Sequence, residues 1–355
     1  MSKPWTEFEV TAIKKYLSES LSNSEICKKL PYRTPDSVKR KIRRLKDVEY
    51  QSEAEEQALL GALEQLRLES PVVDDLREYT DFYGVGERQL EICIMDPHFG
   101  MHCSKPDSDH TWSMDEAEET VMWAINRLLE QALQYGEIYN RVVFPFGNDF
   151  LHADNIYHTT TKGTNQPEMV SWHDAYKRGV ALAIRMVERL REVAPVSVYQ
   201  IPGNHSVHSD YTMGMILDAY FHNDKNVEVD CSSSPYKFHR FGKNLIGYEH
   251  GHSVSTIRLA ALMANERPQD WAETVYREFH LGDQHRKGSS IPAALEEQGV
   301  SVEYHPGLTP PNYWHRVHAF NYQKRGAVAY VWHETMGQEA RFNCNLNQYT
   351  GKPME

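Results

Sequence analysis

Three stretches of the chain set its architecture: LEICIMDPH (residues 90–98), RVVFPFGNDFLH (residues 141–152) and VSVYQIPGNH (residues 196–205). Each begins with a short apolar run bounded by Gly, Pro or Asp, which predicts a buried strand. Long amphipathic stretches lie between them and predict helices over about residues 115–135 and 172–193. Strands that alternate with helices indicate an α/β domain.

Each of these runs ends in side chains that can bind a metal, and two later runs, residues 244–252 and 276–285, end in the same way. The carboxyl ends of strands are where α/β folds place their ligands. Oxygen and imidazole ligands without thiolates suit Mn, Fe, Zn or Mg, and a carboxylate can bridge two such ions ~3.5–4 Å apart. The candidate side chains are Asp96, His98, Asp149, His152, Asn204, His205, His250, Asp283 and His285.

The order of these motifs resembles the calcineurin-like metallophosphoesterase superfamily, whose pattern runs D-x-H, G-D, G-N-H, an isolated H-G and G-H-x-H. The match extends over roughly residues 89–290, within a domain expected to span 89–355. The resemblance implies a β-sandwich flanked by helices. It also implies two divalent metal ions, manganese first with Fe, Zn or Mg as alternatives, and phosphoester hydrolysis by a hydroxide that bridges the ions.

The resemblance further implies a role for each motif residue. His205 matches the histidine that stabilises the transition state or protonates the leaving oxygen. His152 is expected to position the scissile phosphate, because it lies three residues after Asp149, as in the D-L-F-H motif of the nuclease subunit of the double-strand-break repair complex. The implied metal ligands are Asp96, His98 and His285 on the first ion, Asp149 as the bridge, and Asn204 and His250 on the second ion.

Two departures from the family pattern leave alternatives open. The sequence Gly147-Asn148-Asp149 has one residue more than G-D, so the bridging ligand is Asn148 or Asp149, and we prefer the carboxylate. Asp283 stands where the family has a histidine on the second metal. Either Asp283 ligates this metal, or His280 replaces it, or the second site is weak.

The first 46 residues differ in charge from the rest. They hold twelve Lys and Arg against five Asp and Glu, a balance of +7, and because the whole chain carries −12, the remainder carries −19. Such asymmetry indicates contact with a polyanion, of which nucleic acid is the commonest. Three helices are predicted here, with capping boxes at Thr6/Glu9 and Ser22/Glu25 and an N-cap at Thr34. The third helix displays Lys39, Arg40, Arg43, Arg44 and Lys46 on one face.

This basic segment resembles a Myb/SANT-like or helix-turn-helix domain through Trp5, Leu17, residues 26–30 and the run RTPDSVKRKIRRL (residues 33–45). The resemblance implies that residues 1–46 form a DNA-binding domain, with the five basic residues of the third helix on the phosphate backbone. The alternative is a protein-docking module of the same fold.

Two other segments complete the expected organisation. Residues 47–88 are predicted to form an acidic helical connector, and residues 327–332 a late strand. The aromatic residues of the C-terminal third are expected in the core or in edge strands, because Tyr313 and Trp314 lack a neighbouring basic run that would support stacking on nucleic acid.

Composition excludes several classes of protein. With 40 % hydrophobic residues, a mean hydropathy of −0.63 and no apolar run near ~18 residues, the chain is of the soluble globular type and has no membrane partner. Five scattered cysteines without a CxxC pair argue against a disulfide framework and a thiolate zinc site. The start lacks an apolar segment like that of a signal peptide, so a cytoplasmic location is expected.

The compartment expected is that of a bacterium or a phage-infected host, because residues 157–164 are similar to a segment of phage-encoded members of the superfamily. The leading hypothesis for function is a DNA-hydrolysing phosphodiesterase targeted by its basic N-terminal domain. One alternative is a phosphomonoesterase or protein phosphatase, although GNHSVH (residues 203–208) departs from the G-N-H-E of protein phosphatases. Another is a non-catalytic DNA-binding protein whose metal site is degraded at Asp283. A homo-oligomer is compatible with all three.

Overall fold

The computed structural model describes residues 5–19, 21–69, 86–103, 112–136, 138–283, 296, 298–318 and 324–346. The chain divides into two compact units, Met1–Leu68 and Glu69–Glu355, which we call the head and the body. Each unit has an apolar core of its own.

The head contains three helices: α1 (Glu7–Ser18), α2 (Asn23–Lys29) and α3 (Pro35–Glu69). Both predicted capping boxes are present, at Thr6 with Glu9 and at Ser22 with Glu25. Thr34 caps α3, since its hydroxyl accepts a hydrogen bond from the Ser37 N–H at 3.3 Å. The apolar faces of the three helices meet in a small core made by Ile13, Ile26, Leu30, Val38 and Ile42.

Helix α3 runs without interruption from Pro35 to Glu69, across the expected domain boundary at residue 46. The basic third helix and the part of the acidic connector up to Glu69 therefore form one helix. A change in the sign of the charge does not end a helix, and the junction Lys46-Asp47-Val48-Glu49 contains neither Pro nor Gly to break it. Pro71 lies outside the described residues.

The body contains two sheets. The larger has six strands in the order β10-β9-β1-β2-β3-β4, in which β1 to β4 run parallel and β9 lies antiparallel to both β1 and β10. Its strands are β1 (Arg88–Cys93), β2 (Arg141–Gly147), β3 (Val196–Ile201), β4 (Val227–Asp230), β9 (Gly326–His333) and β10 (Gly337–Asn345).

The smaller sheet has the order β5-β6-β7-β8, and only β5 and β6 are antiparallel in it. Its strands are β5 (Tyr236–Phe241), β6 (Asn244–Glu249), β7 (Tyr276–Leu281) and β8 (Ser301–Tyr304). The α-helices with described bounds in the body are α4 (Met114–Tyr135), α5 (Trp172–Arg191), α6 (Val207–Tyr220), α7 (Leu259–Glu266), α8 (Pro268–Glu273) and α9 (Tyr313–Val317).

The two sheets pack against each other through an apolar cluster to which both contribute, for example Val143 and Tyr330 from the larger sheet and Ile246 and Tyr248 from the smaller. Helices α4, α5 and α6 share a second cluster with the larger sheet, and α7 packs on the smaller sheet. The predicted α/β class is confirmed at this level. Among the described helices, none is both long and apolar enough to cross a bilayer.

The predicted late strand is confirmed as β9, and Tyr304, Tyr330 and Trp332 are buried as expected. The same expectation is wrong for Tyr313 and Trp314, which lie on α9 and are mostly exposed. Asn312 caps this short helix, so the two aromatic residues open a surface turn instead of joining a sheet.

Candidate metal centre

The loops that follow β1, β2 and β3 are joined by main-chain hydrogen bonds. The Asp96 N–H donates to the Asn148 carbonyl at 3.1 Å, and the His98 N–H donates to the Asp149 carbonyl at 3.0 Å. The Asn148 N–H donates in turn to the Ile201 carbonyl at 2.8 Å. These bonds hold the predicted ligand loops side by side at the carboxyl end of the parallel strands.

The predicted ligands from different strand ends converge on one buried cluster. Nε2 of His250 lies 3.1 Å from Oδ2 of Asp149 and 3.8 Å from an oxygen of both Asp96 and Asp283. The Asp283 N–H also donates to the Asp96 carboxylate at 3.0 Å. We call Asp96, Asp149, His250 and Asp283 the carboxylate cluster.

Burial and the charges of neighbouring groups shift the pKa values in the carboxylate cluster in different directions. Burial raises the pKa of Asp96 to about 8, and the neighbouring carboxylates of Asp149 and Asp283 add to this rise. Burial also opposes ionisation of Asp149, but the charge of His250 outweighs it and lowers the pKa of Asp149 to about 2. Likewise, burial would lower the pKa of His250, yet the three carboxylates raise it to about 10. The directions of these shifts pair a protonated His250 with an ionised Asp149.

Three histidines lie directly beside these carboxylates. The His98 ring is 4.7 Å from the His205 ring and 5.4 Å from the His152 ring, between centroids. The His205 N–H donates to Oδ1 of Asp149 at 2.6 Å, so the carboxylate cluster fixes the backbone of His205. Burial keeps the pKa of His152 well below its ordinary value. We call His98, His152 and His205 the histidine cluster.

Backbone strain is concentrated at this site. Among the described residues other than glycine, six have a positive φ, and five of them are Asp96, His98, Asn148, Asp149 and Asp283. Each such residue costs on the order of 1–3 kcal/mol, and strain of this kind gathers at functional sites.

One glycine next to the site is required by close packing. A Cβ on Gly203 would lie 1.9 Å from Oδ1 of Asp149 and 2.2 Å from its backbone nitrogen. Only glycine allows the G-N-H loop to approach the aspartate this closely, because any other side chain at position 203 would clash with Asp149.

The described side chains fit a divalent metal. Buried polar atoms are rarely left unpaired, yet Oδ1 of Asn204, Nε2 of His152 and Nδ1 of His250 have no hydrogen-bond partner among the described residues. Ligand atoms of Asp96, His98 and Asp149 lie within 4.8 Å of one another. Carboxylate, amide and imidazole donors together suit Mn, Fe, Zn or Mg.

The structure places most of the predicted site residues in one neighbourhood. Both candidates for the bridge lie at the site: the Asp149 carboxylate meets His250 and His205, and the buried Asn148 side chain has no hydrogen-bond partner in the part of the chain described here. His285 lies outside the described residues. The predicted residues that converge are Asp96, His98, Asp149, His152, Asn204, His205, His250 and Asp283.

The suggestion that His280 replaces the missing family histidine is wrong. Nδ1 of His280 lies 2.6 Å from Oε1 of Glu91, and its Nε2 lies 3.1 Å from Oε1 of Glu278. Both nitrogens are thus occupied by carboxylates between the two sheets. His280 forms another metal-like group with Cys93 and His305, but the thiol already contacts Glu91 and the His305 ring bonds the Tyr330 hydroxyl, so these atoms are satisfied without an ion.

Sequence reasoning missed two buried aspartates that organise the loops. Asp210 accepts hydrogen bonds from the backbone N–H groups of Asp149, Phe150 and Gly203. Asp154 accepts from the N–H groups of His208 and Ser209 at the start of α6. Neither belongs to a metal motif, and only their nearness in sequence to His152 and His205 could have drawn attention to them.

The head carries the predicted basic surface. The side chains of Lys39, Arg40, Arg43 and Arg44 are exposed, and that of Lys46 lies outside the described side chains. Within the head, Arg33 also donates two 2.8 Å hydrogen bonds to the Glu9 carboxylate. The bonds from Arg33 lower the pKa of Glu9 to about 2.

Neither a scan against models of known protein families nor a search of the curated proteins finds a match to this chain.

Proposed function

We propose that this chain is a metal-dependent phosphodiesterase that hydrolyses DNA and uses the head to bind it. The observation that carries the proposal is the convergence of the carboxylate cluster and the histidine cluster at the carboxyl ends of β1, β2, β3, β6 and β7. We also propose that the body has the metallophosphoesterase type of sandwich, since its two packed sheets flanked by helices agree with that architecture.

The residues that would hold divalent ions are Asp96, His98, Asp149, Asn204, His250 and Asp283, with His285 as a further ligand implied by the resemblance. When bound, such ions would supply Lewis-acid activation of water and neutralise charge on the phosphate. As a ligand His250 would act through its neutral imidazole, so deprotonation of this side chain would favour ion binding.

His205 is the residue suited to proton transfer. Its Nδ1 lies 3.0 Å from the carbonyl oxygen of His152, and a carbonyl only accepts, so Nδ1 carries a proton. This leaves Nε2 as the nitrogen that exchanges a proton with the leaving oxygen. The hydrogen bond from its backbone to Asp149 keeps the ring beside the carboxylate cluster.

His152 is suited to orienting the phosphate. Its low pKa keeps it neutral, so it offers a hydrogen bond without adding charge. Its Nε2 is buried and has no partner among the described residues, so it remains available to a phosphate oxygen.

The test is hydrolysis by the full chain loaded with Mn²⁺, assayed on linear and circular DNA, on bis(p-nitrophenyl) phosphate and on the monoester p-nitrophenyl phosphate. We expect cleavage of DNA and of the small diester. We expect His205→Ala to lower kcat on both by about 10²–10⁴-fold, the range for losing a general acid. His173→Ala, an exposed histidine on α5, is the matched control and should leave the rates unchanged.

Other outcomes separate the alternatives. Hydrolysis of the monoester alone would identify a phosphomonoesterase. Protein that retains no metal and cleaves neither ester, while still binding DNA, would identify a non-catalytic binding protein.

A further inference from the structure

The connection between β2 and α5 contains a tight turn, residues 160–164, which the proposed chemistry does not use. The Gly163 N–H donates to the Thr160 carbonyl at 2.8 Å, and the Thr160 N–H donates to the Thr164 carbonyl at 2.8 Å. Gly163 has a φ of 87°, a conformation that glycine adopts without strain. Lys162 is exposed at the third position of this turn. We call residues 160–164 the lysine turn.

Hydrogen bonds fix the lysine turn to the loop that carries His205. The Thr161 N–H donates to the His205 carbonyl at 3.3 Å, and the Thr161 hydroxyl accepts a hydrogen bond from the Val207 N–H at 3.1 Å. The same hydroxyl donates to the buried Asp154 carboxylate at 2.6 Å. Lys162 therefore directly follows a residue that contacts the proposed proton-transfer residue.

The charge of Lys162 also acts on the loop that follows β6. Burial lowers the pKa of His252, and the positive charges of His250 and Lys162 lower it further. The His252 ring lies 5.3 Å from the His250 ring, between centroids. Because Lys162 is anchored beside His205 and its charge acts on His252, it lies at the edge of the candidate metal centre.

Lys162 is a cation without a counter-ion in the part of the chain that the structure describes. Residues 47–355 carry a net charge of −19, so a polyanion bound at the centre needs a local positive charge. A lysine ammonium supplies this as a compact point charge, and lysine is a common ligand of phosphate. The hydrogen bonds of the lysine turn order its backbone before a ligand binds, which lowers the entropic cost of binding.

We propose that Lys162 binds a phosphate group next to the scissile phosphate, and that the substrate of this site is a nucleotide chain with charged linkages on both sides of the bond that breaks or on one of them. The inference rests on the proposed phosphodiesterase function and specifies its substrate. His152, assigned to the scissile phosphate, is buried, whereas Lys162 is exposed at the edge of the centre. A neighbouring phosphate is therefore the one that Lys162 can reach.

The experiment uses two tetrathymidylates whose central linkage is an ordinary phosphodiester. The outer linkages are phosphorothioates, which keep the negative charge, in one substrate, and uncharged methylphosphonates in the other. We expect the native full chain, loaded with Mn²⁺, to hydrolyse the charged substrate with the higher kcat/KM. Lys162→Gln should reduce the ratio of the two kcat/KM values by about 10-fold, the order expected for one hydrogen bond to a charged group. Lys162→Arg should keep most of the ratio, and Lys177→Gln, an exposed lysine on α5, is the matched control.

A second readout does not depend on turnover. Acetic anhydride modifies exposed lysines, and peptide mass spectrometry gives the extent at each position. A tetrathymidylate with phosphorothioates at all linkages should protect Lys162, while Lys177 and Lys225 serve as exposed references.

The outcomes separate this inference from the proposed function. A native chain without preference for the charged substrate, or a preference that Lys162→Gln leaves unchanged, would overturn the inference. Equal losses on both substrates in Lys162→Gln would also overturn it, because they would place Lys162 on the scissile phosphate itself. If the native chain hydrolyses neither substrate, the proposed function fails, and protection from acetylation alone then decides whether Lys162 binds phosphate.

Discussion

Replacing Glu91 by Gln removes the counter-ion of a buried imidazolium. Burial would lower the pKa of His280, but Glu91 raises it well above its ordinary value. Burial would raise the pKa of Glu91, and His280 lowers it instead. Because Glu91→Gln breaks this buried pair and leaves Glu278 as the remaining carboxylate partner of His280, we expect the free energy of unfolding to fall by about 3–5 kcal/mol in urea titrations. Glu228→Gln, which breaks an exposed ion pair with Arg141, should cost less than about 1 kcal/mol.

The effect of Glu91→Gln should depend on pH. A raised pKa stabilises the fold fully below the ordinary histidine value of 6.5 and loses this contribution as the pH rises through the folded pKa. A lowered carboxyl pKa stabilises above 4.5 and loses its contribution as the pH falls through the folded value. The difference in stability between native chain and variant should therefore be greatest between about pH 4.5 and 6.5. A difference that does not change with pH would show that Glu91 and His280 are not an ion pair.

Under the proposed function, Asp283 would determine whether a second divalent ion is bound. Its oxygen lies 3.8 Å from His250 Nε2, in the position where the resembled family uses histidine. We expect Asp283→Ala to reduce the bound manganese from about two ions to one, measured by elemental analysis after desalting. Glu273→Ala, an exposed carboxylate on α8, serves as the control. Two ions retained by Asp283→Ala would remove Asp283 from the ligand set.

The N-terminus of helix α6 is capped by a residue that is distant from it in the sequence. Its own Ser206 makes no capping side-chain bond, and Asp154 caps it from the loop that follows β2. Asp154 also accepts from the hydroxyl of Thr161, whose N–H donates to the carbonyl of His205. We expect Asp154→Ala to cost about 1–3 kcal/mol of stability and to lower kcat on the small diester several-fold. Ser113→Ala, which removes the cap of the distant helix α4, should cost about 1 kcal/mol and leave kcat unchanged.

The basic face of helix α3 predicts how DNA binding should depend on salt concentration. Each cation that neutralises a DNA phosphate adds about 0.9 to the slope of log K against log salt. Changing Lys39, Arg40, Arg43 and Arg44 to Gln should therefore weaken DNA binding and reduce this slope by up to about 3.6 in anisotropy titrations. A control variant with Lys14→Gln and Lys28→Gln removes positive charge from α1 and α2 and leaves α3 unchanged. An equal effect of both sets would mean that α3 is not the contact surface.

The sequence predicted the strands that are buried on both faces of their sheet. The runs at β1, β2, β3, β6, β7 and β9 are apolar enough to be recognised, and all six are strands. Strand β10 was missed because this edge strand carries polar, partly buried residues such as Glu339 and Arg341 in place of a continuous apolar run. Helix α6 was missed because its capping residue, Asp154, lies 55 residues before its bonding partner Ser209 in the chain. The ligand positions were predicted from strand ends, whereas Asp154, Asp210 and Glu91 depend on contacts that only the tertiary structure creates.

The whole molecule consists of two units with separate cores, and the candidate metal centre belongs to one of them. We therefore expect two transitions in calorimetry of the full chain. Manganese at 100 times its dissociation constant should stabilise the body alone by about 2.7 kcal/mol, a rise of about 5 °C, and EDTA should reverse it. If the transition of the head moves by the same amount, the units do not unfold independently.

The left-handed backbone at Asp96, His98, Asn148, Asp149 and Asp283 has a consequence for how this chain evolves. Glycine at any of these positions would relieve conformational strain, so such a substitution is expected to raise stability while it removes a side chain from the centre. The chain can therefore gain stability and lose the candidate centre in a single mutational step.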